Sequence, residues 1–176
     1  MRFRPGEVDG AFVVEPELRT DDRGFFARAF DVTEFADHGL DTAVVQTNVS
    51  YNVRRGTLRG MHWQAAPHQE TKLIRCTAGS ILDVVVDIRP SSRTYLRWMA
   101  AELSATNRHA MYAPVGVAHG YLTLTDGAEV TYQVSHPFTP EADRGARWDD
   151  PSFAIDWPST PAVISQKDAD HPPFQR

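Results

Sequence analysis

Residues 56–64 read Gly-Thr-Leu-Arg-Gly-Met-His-Trp-Gln, and residues 70–76 read Glu-Thr-Lys-Leu-Ile-Arg-Cys. Both runs have the composition of strands, yet they carry Arg59, His62, Gln64, Glu70 and Lys72. Side chains alternate across a strand, so His62 shares a face with Gln64, and Glu70 with Lys72. Polar groups turned inward are costly unless they are paired or put to use. Five of them in two neighbouring strands predict a lined cavity rather than a purely apolar core.

Outward from this stretch, turns and short apolar runs alternate. Asp21-Asp22-Arg23-Gly24 is a turn signal. It leads into Phe25–Phe30, whose alternating apolar residues predict a strand with Phe25, Phe26 and Phe30 in the core. Thr33–Gly39 predicts one short helix, capped by Asp31 or Thr33 and ended by Gly39. Residues 44–51, 81–89, 96–103, 109–113, 118–124 and 128–134 read as further strands. Asp126-Gly127 marks the hairpin between the last two. The tail from Pro137 is rich in Pro, Asp and Trp and reads as ordered loops over an opening. Many short strands punctuated by Gly and Pro predict an all-β fold. A double-sheet jelly roll with one or two short helices would enclose the inward polar residues.

The chain has 176 residues, which predicts a single domain spanning 1–176 with a sizeable core. Its net charge of −5 argues against a nucleic-acid partner, which would call for a basic face. No apolar run reaches membrane-spanning length and no signal-like start is visible, so a cytoplasmic protein without a membrane partner is expected. The single cysteine, Cys76, cannot form an internal disulfide and fits a reducing compartment. Its place among Leu73, Ile74 and Arg75 predicts a buried structural thiol rather than a nucleophile.

Pro114-x-Gly116-x-x-His119 resembles the second cupin motif, and His62-x-Gln64, Glu70 and Gly79 resemble half of the first. Metal-binding cupins carry a histidine where Gln64 stands, and the ammonium of Lys72 would oppose a divalent ion nearby. The expectation is therefore no metal and no cofactor.

The ordered set of motifs is more specific. It comprises Gly56–Gln64, Lys72-Leu73, Asp83–Arg89, Ser92-x-Thr94, Leu103-Ser104-Ala105-x-Asn107, Pro114–Gly120, Tyr132, Asp150-Pro151, Ile155–Pro158 and Ser165-x-Lys167-Asp168. Together they resemble the dTDP-4-dehydrorhamnose 3,5-epimerase family over nearly the whole chain. The resemblance implies a cofactor-free, cupin-like enzyme, usually a homodimer, acting on a nucleotide-diphosphate sugar in the pathway to L-rhamnose and related deoxysugars. It implies epimerisation at C3 and/or C5 of a 4-keto-6-deoxysugar through an enolate. His62 would be the base, Asp168 its partner, Tyr132 the opposing acid and Lys72 the stabiliser of the oxyanion. Arg23, Gln46, Asn48, Arg59, His119, Phe138 and Lys167 match substrate-binding positions.

Each of these residues also has a plainer reading. His62 suits a core histidine, Tyr132 a packing residue, Lys72 an edge-strand gatekeeper and Asp168 a capping residue. Asp83 competes with Asp168 as the partner of His62. Arg28 stands where many family members carry Glu, which leaves the nucleotide and the exact sugar open. A mono-epimerase, a metal-dependent cupin enzyme and a non-catalytic sugar-nucleotide binder are the alternatives to a bifunctional epimerase.

Overall fold

The computed structural model describes residues 1–175. In chain order its elements are β1 (Arg2–Pro5), β2 (Phe12–Glu15), β3 (Arg19–Asp21), β4 (Gly24–Phe26), α1 (Val32–Asp37), β5 (Gln46–Asn52), β6 (Thr57–Gln64), β7 (Lys72–Ala78) and β8 (Ser80–Asp87). They continue with β9 (Trp98–Ser104), β10 (Ala110–Ala113), β11 (Val117–Thr123), β12 (Ala128–Val134), β13 (Asp143–Gly145), β14 (Val163–Ile164) and α2 (Gln166–Ala169). One sheet runs β1-β2-β10-β7-β12-β5 and the other β13-β6-β11-β8-β9, with β14 added in parallel to β6. The protein is a cupin-like jelly roll of two facing sheets.

The main core lies between the sheets. Ile74, Met111 and Val130 of the first sheet meet Ile81, Val85 and Leu103 of the second, all fully buried. The outer faces are covered too. On the first sheet, α1 inserts Phe35 beside Phe3, Phe30 and Tyr112. Asp31 caps this helix by accepting from the backbone of Thr33 and Glu34, and Gly39 follows it with φ 71°. On the second sheet, Val84 and Val86 are buried beneath Phe153, Trp157 and Phe174. Phe138, Asp143, Ser165 and Lys167 of the tail lie at the opening between the sheets, as expected, whereas Phe153, Trp157 and Phe174 pack against the back of a sheet, which the tail's composition did not predict. The reason is that β8 is apolar on both faces and would otherwise expose Val84 and Val86 to water.

Two further expectations change. The β3–β4 hairpin pairs only with itself and leaves Phe25 and Phe26 exposed rather than in the core, because no third strand or helix covers it. The guanidinium of Arg108 lies 4.9 Å from the Phe25 ring centroid. The two polar strands of the opening stretch, β6 and β7, are not neighbours in one sheet. They belong to opposite sheets and present their polar residues to each other across the gap.

Candidate active site

At one end the gap between the sheets widens into two adjoining hollows of about 400 and 310 Å³. His62, Lys72, Tyr132 and Lys167 line both. β6 supplies His62 from the second sheet. β7 and β12, paired in the first sheet, supply Lys72 and Tyr132.

His62 is held by the chain's end. β14 pairs Val163 with Thr57 and Ile164 with Leu58, which brings α2 alongside β6. Ser165 caps α2 by accepting from the backbone N–H of Asp168 at 3.1 Å, orienting that residue. Asp168 then meets His62 Nε2 at 2.8 Å and accepts from the N–H of Gly60 at 3.3 Å through its other oxygen. Gly60 is required here: its φ is 137°, and a Cβ would come within 2.6 Å of Gly120 on β11. Burial raises the cost of charge on Asp168. The His62 hydrogen bond and charge, with the Gly60 N–H, outweigh it and hold the carboxyl below its ordinary range. With Nε2 engaged, Nδ1 is the ring nitrogen of His62 left to exchange a proton.

Asp83, the competing partner, is engaged elsewhere. Its Oδ2 lies 2.8 Å from His119 Nε2, and burial pushes its carboxyl up against the opposing charges of His119 and Lys72. Lys72 pairs with Glu70 at 3.0 Å, with the two side chains only 13% and 10% exposed. Tyr132 is held above its ordinary range, chiefly by burial and further by Tyr121 and Glu70, so its hydroxyl stays protonated at neutral pH. A phenol, an ammonium and a histidine–carboxylate pair therefore share one hollow. Such a set can take a proton from carbon, stabilise the resulting enolate and return a proton.

Gln64, at the position of a cupin metal ligand, has its amide fully engaged. Its nitrogen donates to Glu70 at 2.9 Å and to the carbonyls of His68 and Pro137, and its oxygen accepts from Thr139. Glu70 is tied to Gln64 and Lys72, and His119 to Asp83. Within the cupin ligand positions Gln64 and Glu70 are thus committed to each other, while His62 and His119 are each committed to an aspartate outside the set. Cys76 is buried and its thiol is pushed up to about 11, mainly by burial, which makes it a poor nucleophile.

Of the sequence-predicted binding residues, Gln46, Asn48 and Phe138 line the first hollow, Arg59 and His119 the second, and Lys167 both. Arg23 is not brought there. It sits in the turn of the β3–β4 hairpin with its side chain 90% exposed and paired to Asp21. Several lining residues lie outside the predicted set, among them Tyr121, Ser50 and Trp63. Tyr121 is two residues from His119 on the same face of β11, so strand alternation could have found it. Ser50, whose hydroxyl meets Tyr121 at 2.5 Å, is likewise two residues beyond Asn48. Trp63 carries no such signal, since alternation places it opposite His62.

The family model described as dTDP-4-dehydrorhamnose 3,5-epimerase matches residues 5–176. A dTDP-4-dehydrorhamnose 3,5-epimerase of Methanothermobacter thermautotrophicus is 42% identical over 177 residues, covering 99% of this chain and 95% of its own. The crystal structure of the Bacillus anthracis enzyme of that name, with TDP and PPi bound, superposes with a TM-score of 0.92 at 38% identity over 97% of each chain. ChmJ, a 3'-monoepimerase from Streptomyces bikiniensis in complex with dTDP-quinovose, superposes with a TM-score of 0.88 at 33% identity, over 96% of this chain and 86% of its own.

Proposed function

The chain belongs to the dTDP-4-dehydrorhamnose 3,5-epimerase family, and from that premise we propose a residue-level mechanism for it. It is an isomerase, a sugar epimerase of deoxysugar biosynthesis. The substrate we propose is a dTDP-linked 4-keto-6-deoxysugar bound across the two hollows. His62 Nδ1 removes a proton from the carbon next to the 4-keto group. The electron pair moves to the carbonyl oxygen, giving an enolate beside the Lys72 ammonium. Tyr132 delivers a proton to the opposite face of the same carbon, and its phenolate is reprotonated before the next event. Asp168 keeps the His62 proton on Nε2 and stabilises the imidazolium that forms.

The observation that carries this reading is the 2.8 Å His62–Asp168 pair opening onto a hollow that Lys72 and Tyr132 also line. Gln46, Asn48, Arg59, His119, Phe138 and Lys167 form the binding walls. Phe138 is an exposed aromatic at the rim, suited to stacking on a nucleobase. Incubation with dTDP-4-keto-6-deoxyglucose in heavy water tests the assignment: deuterium enters at C3 and C5, and His62→Ala abolishes entry at both. Deuterium uptake unchanged in His62→Ala refutes the base.

A second reading, epimerisation at one carbon only, is favoured by the likeness to the Streptomyces bikiniensis 3'-monoepimerase. The same experiment separates the two, because a mono-epimerase labels a single carbon.

We further propose one domain over the whole chain, a cytoplasmic setting and a homodimer. Among the described residues no helix is long and apolar enough to cross a membrane. Val49, Tyr51 and Val53 on the edge strand β5 and the loop after it are each more than half exposed, a stripe that a second copy would cover. Arg23 and its exposed hairpin would then be free to reach the partner's hollow. Light scattering in solution tests this: a monomer mass refutes the dimer.

A further inference from the structure

We propose that His62, Asp168 and His171 form a binding site for a zinc-class divalent cation, and that such an ion switches the enzyme off by occupying its base. The inhibitory half rests on the reading of His62 as base; the site itself does not.

His171 follows α2 directly, and its ring packs over Gly145 of β13, where any side chain would collide with it. Its Nε2 is buried with no hydrogen-bond partner among the described residues. A buried polar atom left in that state calls for an explanation. The atom lies 3.8 Å from Asp168 Oδ1, beyond hydrogen-bonding reach. The same oxygen is 2.8 Å from His62 Nε2, and the rings of His62 and His171 meet edge to face at 5.6 Å. The three donor groups place one ligand atom each within 4.8 Å of one another. Two ligands of a tetrahedral zinc ion, each about 2.1 Å from the metal, lie about 3.4 Å apart. The observed spacings of 2.8 and 3.8 Å bracket that value, so small side-chain shifts suffice.

The donor set decides the kind of ion. Two imidazoles and one carboxylate suit zinc, cobalt or nickel, whereas magnesium and calcium prefer oxygen ligands throughout. His62 and Asp168 also line the second hollow, through which water can reach the cluster to complete the coordination. Three protein ligands with one open position is a familiar zinc arrangement. The consequence for catalysis follows from proton placement. An ion on His62 Nε2 displaces the proton shared with Asp168 to solvent, and the ring takes up a proton at Nδ1. The nitrogen that would accept the substrate proton is then already protonated.

The test uses the full chain, freed of metal with a chelator and dialysed. Cobalt(II) chloride is titrated while the visible absorption of tetrahedral cobalt is followed, and zinc chloride is titrated against turnover. The expected result is one equivalent of cobalt with a tetrahedral spectrum, zinc inhibition reversed by chelator, and no inhibition by magnesium. His171→Gln should weaken cobalt binding and zinc inhibition together, by roughly 10- to 100-fold. No cobalt signal, or equal affinity in wild type and His171→Gln, overturns the site and leaves the base assignment untouched. Cobalt bound at one equivalent with turnover undiminished overturns the inhibition together with His62 as base.

Discussion

Replacing Asp168 with Asn is the sharpest probe of the His62 pair, because it changes charge at nearly constant shape. In the wild type one carboxylate oxygen accepts from the Gly60 N–H and the other meets His62 Nε2. An amide cannot satisfy both as an acceptor. If its oxygen faces Gly60, its NH₂ faces His62 and forces the ring proton onto Nδ1, which removes the base. If its oxygen faces His62, its NH₂ opposes the Gly60 N–H. The lost charge matters as well. A carboxylate about 4 Å from the imidazolium centre is worth about 4 kcal/mol at an effective dielectric of about 20, of which the amide dipole retains a part. A loss of about 2–4 kcal/mol corresponds to a fall in kcat of roughly 30- to 1,000-fold. The fold should survive, because the Ser165 cap of α2 uses the backbone N–H of residue 168 and not its side chain. The assay pairs a reductase-coupled turnover measurement with deuterium uptake at C3 and C5 and a thermal melt. The expected result is a kcat loss in that range, a parallel loss of exchange at each labelled carbon and a KM within about threefold of wild type. An Asp168→Asn variant that is folded and turns over within threefold of wild type refutes the role given to the pair.

Tyr132→Phe should reduce formation of inverted product by roughly 10²- to 10⁴-fold while sparing wash-out of substrate label; equal loss of both would refute the acid assignment. Lys72→Met strands the buried Glu70, so it should lower stability by about 3–5 kcal/mol and kcat by roughly 10²- to 10³-fold. Adding Glu70→Gln should restore the melting temperature but not the rate, and recovery of both would show Lys72 to be structural only. Asp87 is a stability probe. Burial disfavours its charge, but bonds from Arg89, Ser92 and Thr94 win and hold its carboxyl at about 2. Its folded value lies below the ordinary 3.8, so the unfolded chain binds the proton more readily. The stabilisation is complete above about pH 4 and disappears as pH falls toward 2. Asp87→Asn should therefore cost about 2 kcal/mol in urea denaturation at pH 7 and much less near pH 2.5; a cost independent of pH would contradict the ionic origin.

How much of this was legible in the sequence depends on the range of the interaction concerned. The jelly roll, the short helix capped by Asp31, the hairpin at Asp126-Gly127 and the inert Cys76 all rest on alternation, turn chemistry and local apolar character, which act over a few residues. The Phe25 and Phe26 reading failed because alternation says which residues share a face but not whether anything covers that face. The tail was read only in part for the same reason: its loops do line the opening through Phe138, Asp143 and Lys167, but nothing local says that β8 buries both faces and needs Phe153 and Trp157 over its back.

The site divides along the same line. His62, Lys72, Tyr132 and Asp168 could be named from ordered motifs, because each type of residue has a chemistry of its own. Asp168 was named as the partner of His62 through the family resemblance alone, with Asp83 as a rival, since residue type does not separate two aspartates. A two-residue parallel pairing of β14 with β6 settles it, setting Asp168 beside the ring while His119 takes Asp83. The chain alone therefore determined the fold class and the kinds of group proposed to react. Tertiary packing decided which groups touch, because contact between residues 106 positions apart depends on how sheets close and not on any nearby pattern.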